Sequence, residues 1–118
     1  MKAIIIINET HSMMDEQKSI IEERYQNYEV LKVPSQGWTL EEMRKIKSKI
    51  WEEYMNSSGE MNIIFISPIP YLIKELALLG AEFTSFSVLV MHNDVREKKE
   101  LPDGRIISVV AQTGWQLV

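Results

Sequence analysis

Apolar residues in this chain form short uninterrupted runs separated by longer mixed segments. Residues 3–7 are an alanine followed by four isoleucines, and residues 62–66 read NIIFI. Such β-branched runs are typical of strands whose two faces are both covered, as in a parallel sheet between layers of helices. Residues 28–33 (YEVLKV) and 86–91 (FSVLVM) predict two further strands, of which the first is more polar and therefore nearer the sheet edge.

Three helices are predicted between these strands from their apolar stripes and their start signals. Ser12 is placed to cap the first helix, and Thr39 with Glu42 forms a capping box for the second. Ser67 is placed to cap the third helix, with Pro68 at its first position, where no amide donor is lost.

The last part of the chain has a different pattern. Residues 101–104 (LPDG) are a strong turn signal, and the β-branched run at 106–110 predicts a strand. A second turn at residues 113–114 leads into a short final strand. We therefore predict one α/β domain over residues 1–118, a Rossmann-like three-layer fold. Its mainly parallel sheet has about four strands and is followed by a C-terminal β-hairpin or short antiparallel strands. The pattern leaves the strand order open.

Length and composition limit the classes of protein that need considering. The chain has 118 residues and a net charge of −4, which fits a single domain and argues against a basic surface that coats long nucleic acids. It contains no cysteine, so disulfides and thiolate chemistry are excluded, as suits a reducing cytoplasm. The first apolar run is too short for a signal peptide or a membrane span. We therefore expect a cytoplasmic protein that does not act on a membrane.

Four polar segments follow the predicted strands. Ligands of open parallel sheets bind beyond the carboxyl ends of the strands, so these segments form the expected site. They are residues 8–12 (NETHS), 34–38 (PSQGW), 67–70 (SPIP) and 92–99 (HNDVREKK). Both histidines of the chain, His11 and His92, lie in them.

The NETHS segment offers the widest chemistry. Asn8 and Thr10 present hydrogen-bonding groups for a ribose or phosphate, and a histidine such as His11 can act as general base or acid near neutral pH. The alternative is a solvated loop that leads into a helix cap. The residue types alone do not decide between the two.

The HNDVREKK segment can recognise both a base and a phosphate. Asn93 could bind a base edge or a hydroxyl, and Arg96, Lys98 and Lys99 could counter phosphate charge. The alternative is a charged strand whose lysines discourage edge-to-edge pairing. That alternative is favoured for the lysines, whereas ligand contact is favoured for Asn93 and Arg96.

The SPIP segment resembles an anion site at a helix start. Ser67 and the amides of Ile69 and Tyr71 could hold a phosphate, although Pro68 and Pro70 have no amide hydrogen to donate. The alternative is a rigid helix start, and it is somewhat favoured.

Several sharper motifs do not occur in the sequence. All five glycines are isolated, so there is no GxGxxG, no Walker loop and no Gly-x-Ser-x-Gly elbow. Glu9, His11, His92 and Asp94 lack the spacing of a metal site. We therefore predict no bound metal and no cofactor.

Two longer segments carry the pattern of a known family. Residues 11–17 (HSMMDEQ) directly follow the first apolar strand, and residues 65–80 read FISPIPYLIKELALLG. The first segment resembles the opening of small CRISPR-associated Rossmann-like proteins of the CARF type: strand, His or Asn, an apolar residue, an acidic pair and Gln. Their usual threonine is Met14 in this chain. The second segment is similar to their strand, proline-bearing turn and apolar helix.

The resemblance implies a nucleotide ligand. That family binds, and in some members cleaves, the cyclic oligoadenylate messengers of type III CRISPR defence. It implies a homodimer whose carboxyl edges face each other, with the ring across the two-fold axis and His11, Ser12, Asn93 and Arg96 lining it. Cleavage would need no metal, because a ribose 2′-hydroxyl placed in line attacks the neighbouring phosphorus. His11 would act as base and Arg96 as electrostatic clamp.

Three functions stay open at this point. The first is a cyclic-oligoadenylate binder that acts as a ring nuclease and regulates type III CRISPR signalling. The second is a non-enzymatic module of the same shape that senses or sequesters a nucleotide. The third is a protein-interaction domain, with Trp38, Trp115 and the methionines as contact residues.

Overall fold

Five strands form one mixed sheet, and two further strands form a separate antiparallel hairpin. The computed structural model describes residues 2–57 and 59–118. In chain order the elements are β1 Lys2–Asn8, α1 Asp15–Arg24, β2 Asn27–Val33, α2 Leu40–Met55, β3 Met61–Phe65, α3 Pro70–Gly80, β4 Phe86–Asn93, β5 Arg96–Glu100, β6 Ile106–Val110 and β7 Trp115–Leu117.

The strands of the large sheet follow the order β2-β1-β3-β4-β7. Neighbours among the first four run parallel, and β7 runs antiparallel to β4. This confirms the predicted α/β class, with a mainly parallel sheet and short antiparallel strands near the C-terminal end. β2, the more polar strand, lies at the edge as its sequence indicates, and β1 lies between β2 and β3.

Helices cover both faces of the sheet, and each face has its own core. Ile4 packs in one core with Ile50 of α2 and Leu72 of α3. Ile5 packs in the other core with Ile21 of α1. Successive strand residues point to opposite faces, so β1 must be apolar at every position between the two helical layers. This requirement accounts for the run of isoleucines.

The predicted start of α2 is confirmed. The Glu42 backbone N donates to the Thr39 hydroxyl at 3.1 Å, and the Thr39 backbone N donates to the Glu42 carboxylate at 3.2 Å. These reciprocal bonds satisfy two amide donors that the first turn of a helix leaves free.

The predicted cap of α1 is wrong. The helix begins at Asp15 with Met14 at its N-cap, so Ser12 lies outside it. The side chain of Gln17 satisfies a backbone donor at the start of the helix instead. Its oxygen accepts a hydrogen bond from the Met14 backbone N at 2.9 Å. The chain between β1 and Asp15 is used for a turn and an extended stretch, which leaves Ser12 too early to cap the helix.

The predicted cap of α3 is also wrong. The helix begins at Pro70 rather than Pro68, and its N-cap is Ile69. The Ser67 hydroxyl accepts a hydrogen bond from the Asn8 backbone N at 2.8 Å. It therefore ties the chain after β3 to the end of β1. Pro70 still meets the rule that proline suits the first helical position.

The β5–β6 hairpin stands apart from the large sheet. The predicted turn at residues 101–104 is confirmed: the Gly104 N donates to the Leu101 carbonyl at 2.9 Å, and the φ of Gly104 is +87°. Among the described residues, β5 and β6 pair only with each other. The protein measures 55 × 33 × 21 Å with a radius of gyration of 16.0 Å. A compact chain of this length would have about 13.5 Å. The hairpin therefore protrudes from the body.

Gly80 lies where α3 and β4 pack most closely. A Cβ at this position would lie 2.6 Å from Phe86 Cδ1 and 3.0 Å from its carbonyl oxygen. Phe86 is held between Trp51 and Tyr54. Because the ring cannot move aside, we expect Gly80→Ala to lower the free energy of unfolding by about 1–3 kcal/mol in urea titrations. Gly59→Ala, whose Cβ meets nothing within 4 Å, should change it by less than about 0.5 kcal/mol. Equal stability of the two variants would contradict this packing.

Candidate functional site

The carboxyl ends of β1, β3 and β4 lie at one edge of the large sheet, which we call the rim. These strands are parallel neighbours, so Asn8, Phe65 and Asn93 end them on the same side. β7 runs the opposite way, and its first residue, Trp115, pairs with Asn93. The segments at residues 8–12 and 92–96 therefore share the rim, as the sequence predicts.

A tight turn positions the polar residues that follow β1. Asn8 Oδ1 accepts hydrogen bonds from the Thr10 backbone N at 2.9 Å and from the Thr10 hydroxyl at 2.7 Å. The Asn8 carbonyl accepts one from the His11 N at 2.9 Å. The Glu9 carboxylate accepts one from the Ser35 N at 2.8 Å and so ties the turn to the loop after β2. Asn8 thus shapes the turn, while Thr10 and His11 are presented at the rim.

A broad depression lies between this turn and the start of β7. It has a volume of about 480 Å³ and opens to solvent, and we call it the rim cleft. Three of the predicted site residues, Thr10, His11 and Ser12, meet in it. Its lining combines polar side chains, an apolar wall and an indole: Thr10, His11, Ser12, Met14, Gln17, Ile66, Val110 and Trp115.

Trp115 is the aromatic residue of the rim cleft. Its backbone N donates to the Glu16 carboxylate at 2.7 Å, which fixes the start of β7 to α1. Its indole Nε1 is shielded from solvent and has no hydrogen-bond partner among the described residues. A buried donor without a partner costs about 1–3 kcal/mol. This donor therefore stays uncompensated in the described part of the chain.

Two smaller clefts flank the turn after β1. One, of about 350 Å³, brings Asn8 and Ser67 together on the side of α3. The other, of about 230 Å³, is shared by His11 and Ser12 with Lys32 of β2. Lys32 therefore offers a cation beside two residues of the rim cleft.

Asn93 is buried at the base of the hairpin and does not line the rim cleft. Its side-chain N donates to the carbonyls of Ala111 at 3.3 Å and Thr113 at 2.9 Å. Its Oδ1 accepts from the Val95 backbone N at 2.8 Å. The residue is only 4% exposed. Both of its donors are used to hold the hairpin to the body, which leaves none for the predicted contact with a base.

The other charged candidates lie on or beside the hairpin. Arg96 Nη1 donates to the Asn93 carbonyl at 2.7 Å. Lys98 is exposed on β5. His92 is exposed, and its Nε2 lies 2.6 Å from Asp94 Oδ1. None of these side chains lines the rim cleft, so the structure separates Arg96 and Lys98 from His11.

Sequence reasoning did not assign Trp115, Gln17 or Lys32 to a ligand site. Trp115 reaches the rim because β7 pairs antiparallel with β4, a topology that the sequence pattern does not show. Lys32 carried a usable signal, because it lies one residue before the carboxyl end of β2, beside the end of β1. The sequence signal for Gln17 was weaker, because it is only a polar residue in the first turn of α1.

Comparisons with known proteins give no match: no protein-family model, no curated protein and no solved structure matches the chain. Within residues 2–57 and 59–118, no group of three or more His, Cys, Asp or Glu side chains is arranged to hold a metal ion. In the same ranges, the helices are too short or too polar to cross a membrane. Function is therefore inferred from the geometry of the rim together with the sequence resemblance.

Asn93 should matter for stability rather than through ligand contact. Asn93→Ala removes three hydrogen bonds and leaves buried backbone groups unpaired. We expect it to lower the free energy of unfolding by about 1–3 kcal/mol. His92→Ala, at the exposed neighbouring position, should cost less than about 1 kcal/mol. Thermal and urea unfolding measure both, and an Asn93→Ala protein as stable as His92→Ala would show that the buried amide does not hold the hairpin base.

Proposed function

We propose that this protein is a Rossmann-like domain whose rim cleft binds a cyclic oligoadenylate. The observation that carries the proposal is the meeting of Thr10, His11 and Ser12 with Trp115 in one open cleft. This cleft lies beyond the carboxyl ends of parallel strands, where open α/β sheets bind their ligands. The segment at residues 11–17, which carries the family resemblance, begins in the same cleft.

The lining of the rim cleft suits an adenylate unit. The Trp115 indole offers a flat surface for a base, and stacking of this kind is worth about 1–3 kcal/mol per base. The Ser12 hydroxyl can donate a hydrogen bond to a ribose or phosphate oxygen. The Thr10 hydroxyl already donates to Asn8 Oδ1, so it can accept a hydrogen bond from a ribose hydroxyl. The volume of about 480 Å³ falls within the range of small-molecule sites, so a ring of several nucleotides would extend beyond it.

A ring that extends beyond one cleft calls for a second copy of the protein. A cyclic oligoadenylate with an even number of units has two-fold symmetry, which matches an isologous dimer. We therefore propose a homodimer in which the two rims face a common axis and each rim cleft takes one side of the ring.

The phosphates of such a ring need positive charge. The lining of the rim cleft, taken over the described residues, contains no lysine or arginine. Lys32 lies in the adjoining cleft with His11 and Ser12. We therefore place a phosphate between these two clefts, where the Lys32 ammonium and the Ser12 hydroxyl can both reach it.

His11 is the group that could add cleavage to binding. Its imidazole would take the proton of a ribose 2′-hydroxyl while that oxygen bonds to the adjacent phosphorus. The bond from phosphorus to the 5′-oxygen breaks, and the 5′-oxygen takes a proton from solvent water, to which the imidazolium later returns its own. The products are a 2′,3′-cyclic phosphate end and a 5′-hydroxyl end. Arg96 is bonded to a backbone carbonyl outside the cleft, so we give it no part in this step.

Incubation with cyclic tetra-adenylate in the presence of EDTA tests this proposal. We expect binding by calorimetry and linear products with cyclic-phosphate ends by mass spectrometry. His11→Ala should lower product formation by about 100-fold or more, because it removes the base, while affinity changes less than about tenfold. Trp115→Leu should weaken binding by about tenfold, because it removes the stacking surface.

His92→Ala is the matched control, because His92 is the only other histidine in the sequence and lies outside the rim cleft. It should bind and cleave as the wild type does. Binding without turnover would identify the nucleotide-sequestering module rather than the ring nuclease. If neither cyclic tetra-adenylate nor cyclic hexa-adenylate binds, the proposal is wrong and the protein-interaction domain is favoured.

A further inference from the structure

The β5–β6 hairpin presents apolar surface that the described part of the chain does not cover. Ile106 is 67% exposed, and Ile107 and Val110 are each 39% exposed. The hairpin is a two-stranded ribbon that protrudes from the body, and such a ribbon alone is marginally stable in water. A further strand along one of its edges would pair the free backbone groups, pack its side chains beside these residues and so stabilise the ribbon.

The two strands of the hairpin differ in chemistry. β5 reads REKKE, whereas β6 reads IISVV. Each strand has one edge bonded to the other strand and one edge free. Charged residues, lysine above all, are typical of edges that avoid pairing, and an exposed apolar edge invites it. The free edge of β6 is therefore the edge suited to another strand.

The hairpin turn determines which β6 residues point their backbone groups to the free edge. The Leu101 N donates to the Arg105 carbonyl at 2.7 Å, so these two residues form a hydrogen-bonded pair. Bonded and non-bonded pairs alternate along an antiparallel ladder. Ile107 is therefore bonded to β5, and the residues on either side of it are not. The β6 residues with backbone groups toward the free edge are Ile106, Ser108 and Val110.

We propose that two copies of this chain pair through β6, antiparallel, about a two-fold axis at Ser108. Ser108 then faces the same residue of the other copy, and Ile106 faces the partner's Val110. In an antiparallel sheet each such pair exchanges two hydrogen bonds. This register satisfies the outward backbone groups of all three residues at once.

The sequence of β6 fits this register. Reading outward from Ser108, both neighbours on each side are apolar, so antiparallel pairing places apolar against apolar everywhere except at the centre. The product is a four-stranded sheet with the two apolar β6 strands inside and the two charged β5 strands outside. Symmetric pairing through β5 would instead bury no apolar surface, because every residue of β5 is charged and exposed.

This register also brings the partner's hairpin to the rim cleft, a consequence that rests on the proposed function. Val110 lines the rim cleft and would pair with the partner's Ile106. The partner's Ile106 side chain would then lie on the same face of the sheet as Val110 and extend the apolar wall of the cleft. The pairing itself needs no nucleotide.

Sedimentation velocity of the full chain without nucleotide tests the pairing. The wild type should sediment as a dimer at micromolar concentration. Ser108→Pro removes an N–H at the centre of the pairing but no bond to β5, because edge positions that face away from the ladder accept proline. We expect it to weaken the dimer by about tenfold or more. Lys98→Pro makes the same change at the position opposite Ser108, on the β5 edge, and should stay dimeric.

Disulfide cross-linking tests the register without a proline. The sequence has no cysteine, so Ser108→Cys introduces the only thiol. The Cα atoms of a hydrogen-bonded pair lie about 5.5 Å apart, within the range of a disulfide. Mild oxidation should give a covalent dimer of Ser108→Cys and not of Lys98→Cys.

Three results would overturn the pairing: a monomeric wild type, a Ser108→Pro protein as dimeric as the wild type, or equal cross-linking of the two cysteine variants. A cross-linked Ser108→Cys dimer that binds no cyclic oligoadenylate would instead remove the proposed function and leave the pairing intact. Nucleotide binding by a wild type that stays monomeric would remove the β6 pairing and the proposed homodimer, and leave the rim cleft as the binding site.

Discussion

Burial of β1 on both faces and along both edges is the interaction on which the rest of the structure depends. Residues 3–7 are at most 2% exposed, and the strand pairs with β2 on one side and β3 on the other. Burial of one isoleucine side chain stabilises a fold by about 1.5–3 kcal/mol, so this strand contributes strongly to the core. Its apolar run ends where the strand leaves the two helical layers. That end point places the first polar residues, beginning at Asn8, at the rim.

Some polar side chains at the rim make hydrogen bonds that hold the fold together, and others line the rim cleft. The Asn8 side chain accepts a hydrogen bond from Thr10 in the turn, and the Ser67 hydroxyl accepts one from the Asn8 backbone N. The Asn93 side chain holds the base of the hairpin. These side chains fix the geometry around the rim cleft. His11 and Ser12 are left to line it, opposite an indole from the other end of the chain. The fold pairs the buried amides and hydroxyls near the rim, and this pairing decides which of the polar residues can meet a ligand.

The sequence predicts the strands and helices well because their signals are local. Apolar runs and the Thr39–Glu42 capping box depend on neighbours a few residues away, and both are found in the structure. The cap assigned to Ser67 is wrong because its hydroxyl bonds to Asn8, which is distant along the chain. The cap assigned to Ser12 is wrong because the turn and the extended stretch after β1 delay the helix start to Asp15. The side chain of Asn93 is likewise held by a distant part of the chain, because its hydrogen-bond partner Thr113 follows β6. Candidate site residues near β1 could be named from the sequence, whereas Trp115 could not, because only the antiparallel pairing of β7 brings it there.

Amide chemical shifts can map where on this protein a cyclic oligoadenylate binds, and the proposal places it in the rim cleft. Titration of ¹⁵N-labelled protein with cyclic tetra-adenylate should move the amides of Thr10, His11 and Ser12 and the indole N–H of Trp115 furthest. Amides at the opposite end of the sheet, such as that of Asn27 at the start of β2, should stay in place. Largest shifts at that opposite end, or no shifts at saturating nucleotide, would show that the rim cleft does not bind the nucleotide.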